Sequence, residues 1–147
     1  MPVFERHAEG VWTGDLRGGS GTASTGSGAL RDAPVTFVSR FENAGGSNPE
    51  ELVAAAHASC FSMQLSANLG RRGYQPEEVR TQATITLELG SGGPRVTQVH
   101  LETEGRVPGI EEATFREAAE EAKLNCPISK LLTPGLDEVS LEARLVS

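Results

Sequence analysis

The sequence predicts an α+β fold. Three observations predict it: glycine-punctuated strand patterns in the first forty residues, an uncharged stretch from Leu52 to Gly70, and alternating strands either side of a second helical block. At 147 residues the chain suits one domain, 1–147, with a core of its own. No internal repeat or long linker interrupts it.

The elements follow in order. Val11, Trp12 and Thr13 run into Gly14, Thr22 to Thr25 lie between glycines, and Val35 to Phe41 (VTFVSRF) is rich in strand formers. The glycine-rich piece Gly18 to Gly28 lacks the Gly-Lys-Ser/Thr ending of a phosphate loop and has no helix pattern after it, so it reads as hairpin turns. A helix then starts at Asn48. Asn is a good N-cap, Pro49 fits the first helical position, and Glu50 and Glu51 suit the positive end of the dipole. It should run to about Arg72, where Gly73 terminates it. From Leu52 to Gly70 it has no charge on any face and many small residues, so it is expected to be central and buried all round.

Thr81 to Leu89 alternates, with Ala83, Ile85, Leu87 and Leu89 on one face, and Val96 to Val107 is a second strand broken by Pro108 and Gly109. Ile110 to Leu124 is an amphipathic helix with Ala113, Phe115, Ala118, Ala119 and Ala122 inward. A short helix follows Pro127, and Val139 to Val146 closes the chain as an alternating strand.

A net charge of −7 argues against nucleic acid and anionic membranes as partners. The stretch Leu52 to Gly70 approaches membrane-spanning length, but His57, Gln64, Asn68 and three serines make spanning unfavourable. Met1 to Gly10 has no apolar run of a signal peptide. These features read as a cytoplasmic soluble protein, a compartment where a cysteine pair is more often catalytic or redox-sensing than structural.

Cys60 and Cys126 are the only cysteines. Cys60 lies mid-helix, where it could be simply a small buried residue. A reactive Cys60 needs a cation or hydrogen-bond donors, because burial alone raises a thiol pKa. His57 is a neighbour on the same helix, readable also as a packed, hydrogen-bonded histidine. Cys126 precedes Pro127, which places it at an N-cap or just before one, where a thiol feels the helix N-terminus. Arg40 and Arg17 are the candidate cations, since a guanidinium stays charged when partly buried. Glu50 precedes Cys60 by ten positions on one helix, roughly 15 Å along its axis. A glutamate cannot span that, so a Glu50 that serves a Cys60 thiolate should come from a second chain. A dimer with composite sites is expected. Two cysteines and three scattered histidines lack zinc spacing, so neither a metal nor another cofactor is expected.

Asn48-Pro49-Glu50-Glu51-Leu52 followed by Ala55-Ala56-His57-Ala58-Ser59-Cys60-Phe61 closely resembles the signature of the OsmC/Ohr family, the osmotically inducible protein C and organic hydroperoxide resistance proteins. Cys126-Pro127-Ile128-Ser129 resembles the family's second cysteine motif. The resemblance covers essentially the whole chain, and Trp12-Thr13-Gly14-Asp15, Val38-Ser39-Arg40-Phe41-Glu42 and Val107-Pro108-Gly109-Ile110 fit the OsmC branch better than the Ohr branch. It implies an intertwined homodimer in which antiparallel sheets wrap two central helices. It implies a thiol peroxidase with Cys60 as the peroxidatic cysteine and Cys126 as the resolving one, and Glu50 paired with an active-site arginine. Arg40 is favoured for that arginine over Arg17, which falls out of register with the Ohr-branch position.

On this reading organic hydroperoxides are reduced to alcohols through a Cys60 sulfenic acid and a Cys60–Cys126 disulfide. A dithiol reductant, a lipoylated protein or a small dithiol, reopens the disulfide. Phe61, Met63 and Leu65 could supply an apolar wall for an alkyl tail, or face the core. Two other readings stand beside it: a redox-sensing dithiol binding module without turnover, and a structural dimer with inert buried cysteines.

Overall fold

Local hydrogen-bonding chemistry decides the early elements. The computed structural model describes residues 1–43 and 45–147, and the chain falls into two units, Met1–Leu52 and Val53–Ser147. In the first unit β1 (Ala8–Thr13) pairs antiparallel with β2 (Ser20–Thr25), and β2 with β3 (Ala33–Val35). Gly14, at φ 92°, turns the first hairpin where an L side chain would be strained. All six residues of β1 are exposed.

The strand expected over Val35 to Phe41 is not formed. The chain leaves β3 at Val35 and enters a short helix, α1 (Phe37–Phe41). Thr36 and Ser39 explain the switch. The Ser39 N–H donates to Thr36 Oγ1 at 3.0 Å and the Thr36 N–H donates to Ser39 Oγ at 2.8 Å. This reciprocal capping box satisfies donors that a strand would have to pair with a neighbour, and it overrides the β-branched composition. Arg40 therefore sits on a helix rather than at a strand end.

Helix α2 (Pro49–Arg71) begins as expected: the Glu51 N–H donates to Asn48 Oδ1 at 2.7 Å, with Pro49 in the first helical position. Gly73, at φ 88°, lies just past its end. The expectation of burial all round fails from Val53 onward. His57, Phe61, Leu65, Asn68 and Leu69 are buried, while Ala55, Ala56, Ser59, Met63, Ala67 and Gly70 are exposed. Met63 is 74% exposed. The absence of charge made the helix look central, yet one of its faces is uncovered in the single chain.

In the second unit β4 (Glu78–Gly90) and β5 (Gly93–Arg106) form an antiparallel hairpin with a register shift at Thr86/Leu87. β6 (Glu138–Leu145) then pairs with β5 in parallel, Gln98 opposite Glu138 through Gly105 opposite Leu145. The sheets are antiparallel except at this last pair. A parallel partner requires a crossover, and here it runs through α3 (Glu112–Asn125), α4 (Pro127–Leu132) and a 3₁₀ turn (Thr133–Gly135). The mixed α+β architecture is thus the one expected.

The core of this unit joins Phe61, Leu65 and Leu69 of α2, Val99 and Leu101 of β5, and Phe115, Ala118, Ala119 and Ala122 of α3, with Cys126 at its edge. Ala113, expected inward, is exposed, as is Leu89 near the hairpin tip. No helix among the described residues is long and apolar enough to cross a membrane.

Gly105 lies where the Phe115 ring meets β5, and a Cβ there would overlap the ring. Gly105→Ala should destabilise the protein by about 2 kcal/mol through overpacking. Urea unfolding of that variant against Gly135→Ala, whose added Cβ meets nothing within 4 Å, measures the difference.

Candidate active site

The two cysteines, distant in sequence, are in contact. Cys126 Sγ lies 3.0 Å from Cys60 Sγ. A disulfide needs about 2.05 Å, so only about 1 Å of travel separates contact from a bond. Cys126 is both the C-cap of α3 and the N-cap of α4, with φ −57° and ψ 126°. That extended geometry is what the following proline demands, and Pro127 at the first helical position loses no bond for lacking an N–H. Cys126 is fully buried, whereas Cys60 is half-buried.

Cys126 makes no side-chain cap bond of its own. The Ile128 backbone amide in the first turn of α4 favours the anion of the other sulfur, Cys60. Burial nevertheless pushes the Cys60 thiol above its ordinary range, and the Ile128 N–H offsets this only in part. A nucleophilic Cys60 therefore still requires a cation.

One turn along both helices, a second link joins the same elements. His57 Nε2 lies 2.7 Å from Ser129 Oγ, and both side chains are buried. Burial lowers the His57 pKa, so the ring is held neutral. Its Nδ1 has no partner among the described residues. The neutral ring can pair with the Ser129 hydroxyl through Nε2 in either tautomer, as donor or as acceptor. Ser129 and Ile128 were named in the sequence only as part of the second cysteine motif, with no role of their own; Ser129's position one helical turn after Cys126 was the further signal.

In the first unit Arg40 and Glu50 form a forked ion pair. Arg40 Nη2 lies 2.7 Å from Glu50 Oε1, and Nε lies 3.1 and 3.3 Å from the two carboxylate oxygens. Glu50 is 11% exposed and Arg40 36%. Arg17 instead stacks its guanidinium on Phe37, 4.7 Å from the ring centre. The site residues expected from the sequence thus meet as two pairs, Cys60 with Cys126 and Arg40 with Glu50. Of the three residues considered for an apolar wall, Phe61 and Leu65 face the core, the other of the two readings, and Met63 is exposed. Among the described residues one group could hold a cation: His100, Glu102 and Glu142, brought within 4.8 Å by the β5–β6 register.

A sequence profile described as OsmC-like protein matches residues 42–138. The chain belongs to the OsmC-like family. It is 43% identical over 145 residues, 99% of each chain, to Peroxiredoxin OsmC of Escherichia coli strain K12. Among solved structures it is similar to an organic hydroperoxide resistance protein OsmC from Legionella pneumophila, with a TM-score of 0.74 and 21% identity over 99% of this chain and 100% of that one. It is also similar to the organic hydroperoxide resistance protein OhrB of Bacillus subtilis, with a TM-score of 0.71 and 24% identity over 93% and 97%. The full-length likeness to the Escherichia coli protein supports a cysteine-based peroxidase.

The neutral His57 gives the fold a pH signature. Its folded pKa lies below the unfolded value of about 6.5. The associated stability is complete above that value and is lost as pH falls toward the folded pKa. The urea midpoint should therefore drop as pH falls below about 6.5, and His57→Gln, which cannot titrate, should show a shallower drop.

Proposed function

We propose that this protein reduces organic hydroperoxides to alcohols through a cysteine pair. The observation that carries the reading is the contact between Cys60 and Cys126, two thiols far apart in the chain and 3.0 Å apart in space. The names of the Legionella pneumophila and Bacillus subtilis proteins, both organic hydroperoxide resistance proteins, support the substrate class.

The Cys60 thiolate attacks the outer oxygen of the peroxide. The O–O bond breaks, the alkoxide takes a proton and leaves as alcohol, and Cys60 becomes a sulfenic acid. The Cys126 sulfur then attacks the Cys60 sulfur. Hydroxide leaves, takes the Cys126 proton as water, and a disulfide remains. A dithiol reductant, a lipoylated protein or a small dithiol, returns both thiols to the reduced form and is itself oxidised.

Arg40 is the cation that holds Cys60 anionic, and Glu50 fixes the plane of its guanidinium. The forked pairing supports this assignment over Arg17, whose guanidinium is stacked on Phe37. Both come from a second copy of the chain, because Glu50 stands ten residues from Cys60 on the same helix. Two features support a homodimer: the exposed small-residue face of α2, and a strand β1 exposed throughout.

One equivalent of cumene hydroperoxide should remove two thiols per chain within seconds, and dihydrolipoamide should restore them over many cycles. Cys60→Ser should abolish turnover. Cys126→Ser should keep the first oxidation and stall recycling, and Arg40→Ala should slow the first oxidation by about 10²-fold. Stoichiometric oxidation without turnover would instead identify a redox switch. Persistent turnover in Cys60→Ser would remove the proposal.

A further inference from the structure

The cysteine chemistry leaves one buried polar link unused. His57 and Ser129 are 72 positions apart, yet their side chains are bonded at 2.7 Å inside the core. His57 lies three residues before Cys60 on α2, and Ser129 three residues after Cys126 on α4. The same two elements are therefore tied twice, one helical turn apart, once by the sulfurs and once by this hydrogen bond. Both residues are buried, His57 at 0% and Ser129 at 1% exposure, so water does not compete for the bond.

Alpha-helix α4 has only six residues and cannot hold its place by its own stability. The Lys130 N–H donates to the Cys126 carbonyl at 3.0 Å, so a displacement of α4 pulls on the backbone that carries the Cys126 sulfur. Of its residues, Ser129 is the fully buried one. The bond from His57 fixes the first turn of α4 against α2 at the point where the turn must not move.

We propose that His57 and Ser129 are a positioning pair that sets the effective concentration of the Cys126 sulfur toward Cys60, and so governs closure of the disulfide. This rests on the redox-active pairing argued above, but it concerns the closing step and the stability of the disulfide, not the attack on peroxide. The pair touches neither substrate nor the bond being made. It acts through the placement of Cys126.

The test equilibrates the protein with mixtures of reduced and oxidised dithiothreitol and counts free thiols. Oxidised dithiothreitol accepts two electrons and two protons as the Cys60–Cys126 bond forms, so no peroxide is needed. Ser129→Ala should lower the equilibrium constant for disulfide formation about tenfold, a rise in reduction potential of about 30 mV. His57→Gln, whose side-chain amide can still donate to or accept from Ser129, should stay within about threefold of the parent protein. The double variant His57→Leu/Ser129→Ala, which leaves no orphaned polar atom, should match Ser129→Ala in redox equilibrium whatever its thermal stability. A simple loss of core stability would shift the melting temperature and leave the thiol equilibrium of the folded protein unchanged.

A second measurement follows closure directly. After a pulse of cumene hydroperoxide, Ser129→Ala should form sulfenic acid at the parent rate and convert it to disulfide about tenfold more slowly. Equilibrium constants of Ser129→Ala and of the double variant within twofold of the parent would overturn the proposal. A parent protein inert to hydroperoxide whose thiol equilibrium still responds to Ser129 would refute the peroxidase reading and leave the positioning pair standing.

Discussion

The contact between the middle of α2 and the first turn of α4 is the constraint on which the chemistry depends. Two side-chain contacts cluster there within one helical turn, sulfur to sulfur and His57 to Ser129, with the Ile128 amide favouring the Cys60 anion. The start of α4 supplies the groups around the sulfurs. Pro127 removes one amide from the start of α4, the Ile128 amide lies in its first turn, and Cys126 adopts the extended geometry that proline imposes on its predecessor. The helix boundary and the thiol site are one piece of chemistry.

The site balances two opposing electrostatic demands. A dry pocket strengthens hydrogen bonds and keeps the histidine neutral, but it also disfavours the anion that a sulfur nucleophile must become. One backbone amide is too little to reverse that. A fixed guanidinium is the kind of group that can, because it resists losing its own proton when desolvated. Its forked bonding to Glu50 also limits the rotamers it can sample, so a guanidinium delivered from another chain would arrive already oriented.

Much of the fold could be read from the residues. Asn48, Pro49 and Gly73 mark the ends of α2 because capping is local, and the alternation of β4, β5 and β6 shows which side of each strand faces the core. Two expectations failed for different reasons. The run Val35 to Phe41 looked like a strand because composition was weighed over the two hydroxyls that cap α1. Helix α2 looked fully buried because a lack of charge shows that no face is meant for water, not that the same chain covers every face. Pairing of distant side chains lay beyond local pattern altogether. The Cys60–Cys126 and His57–Ser129 contacts exist only once the crossover is in place, and the Arg40–Glu50 partnership was suggested by family resemblance before any geometry supported it.

The parallel pairing of β6 has a consequence for how the dithiol is assembled. The segment bearing Cys126 is slung between two neighbouring strands, fastened at one end by β5 and at the other by β6. Removing Glu138 to Leu145 would do more than shorten a sheet. It would leave the sling tied at one end only, and Cys126 would lose its address. The strand that follows the crossover is thus the mooring that brings a distant sulfur to its mate.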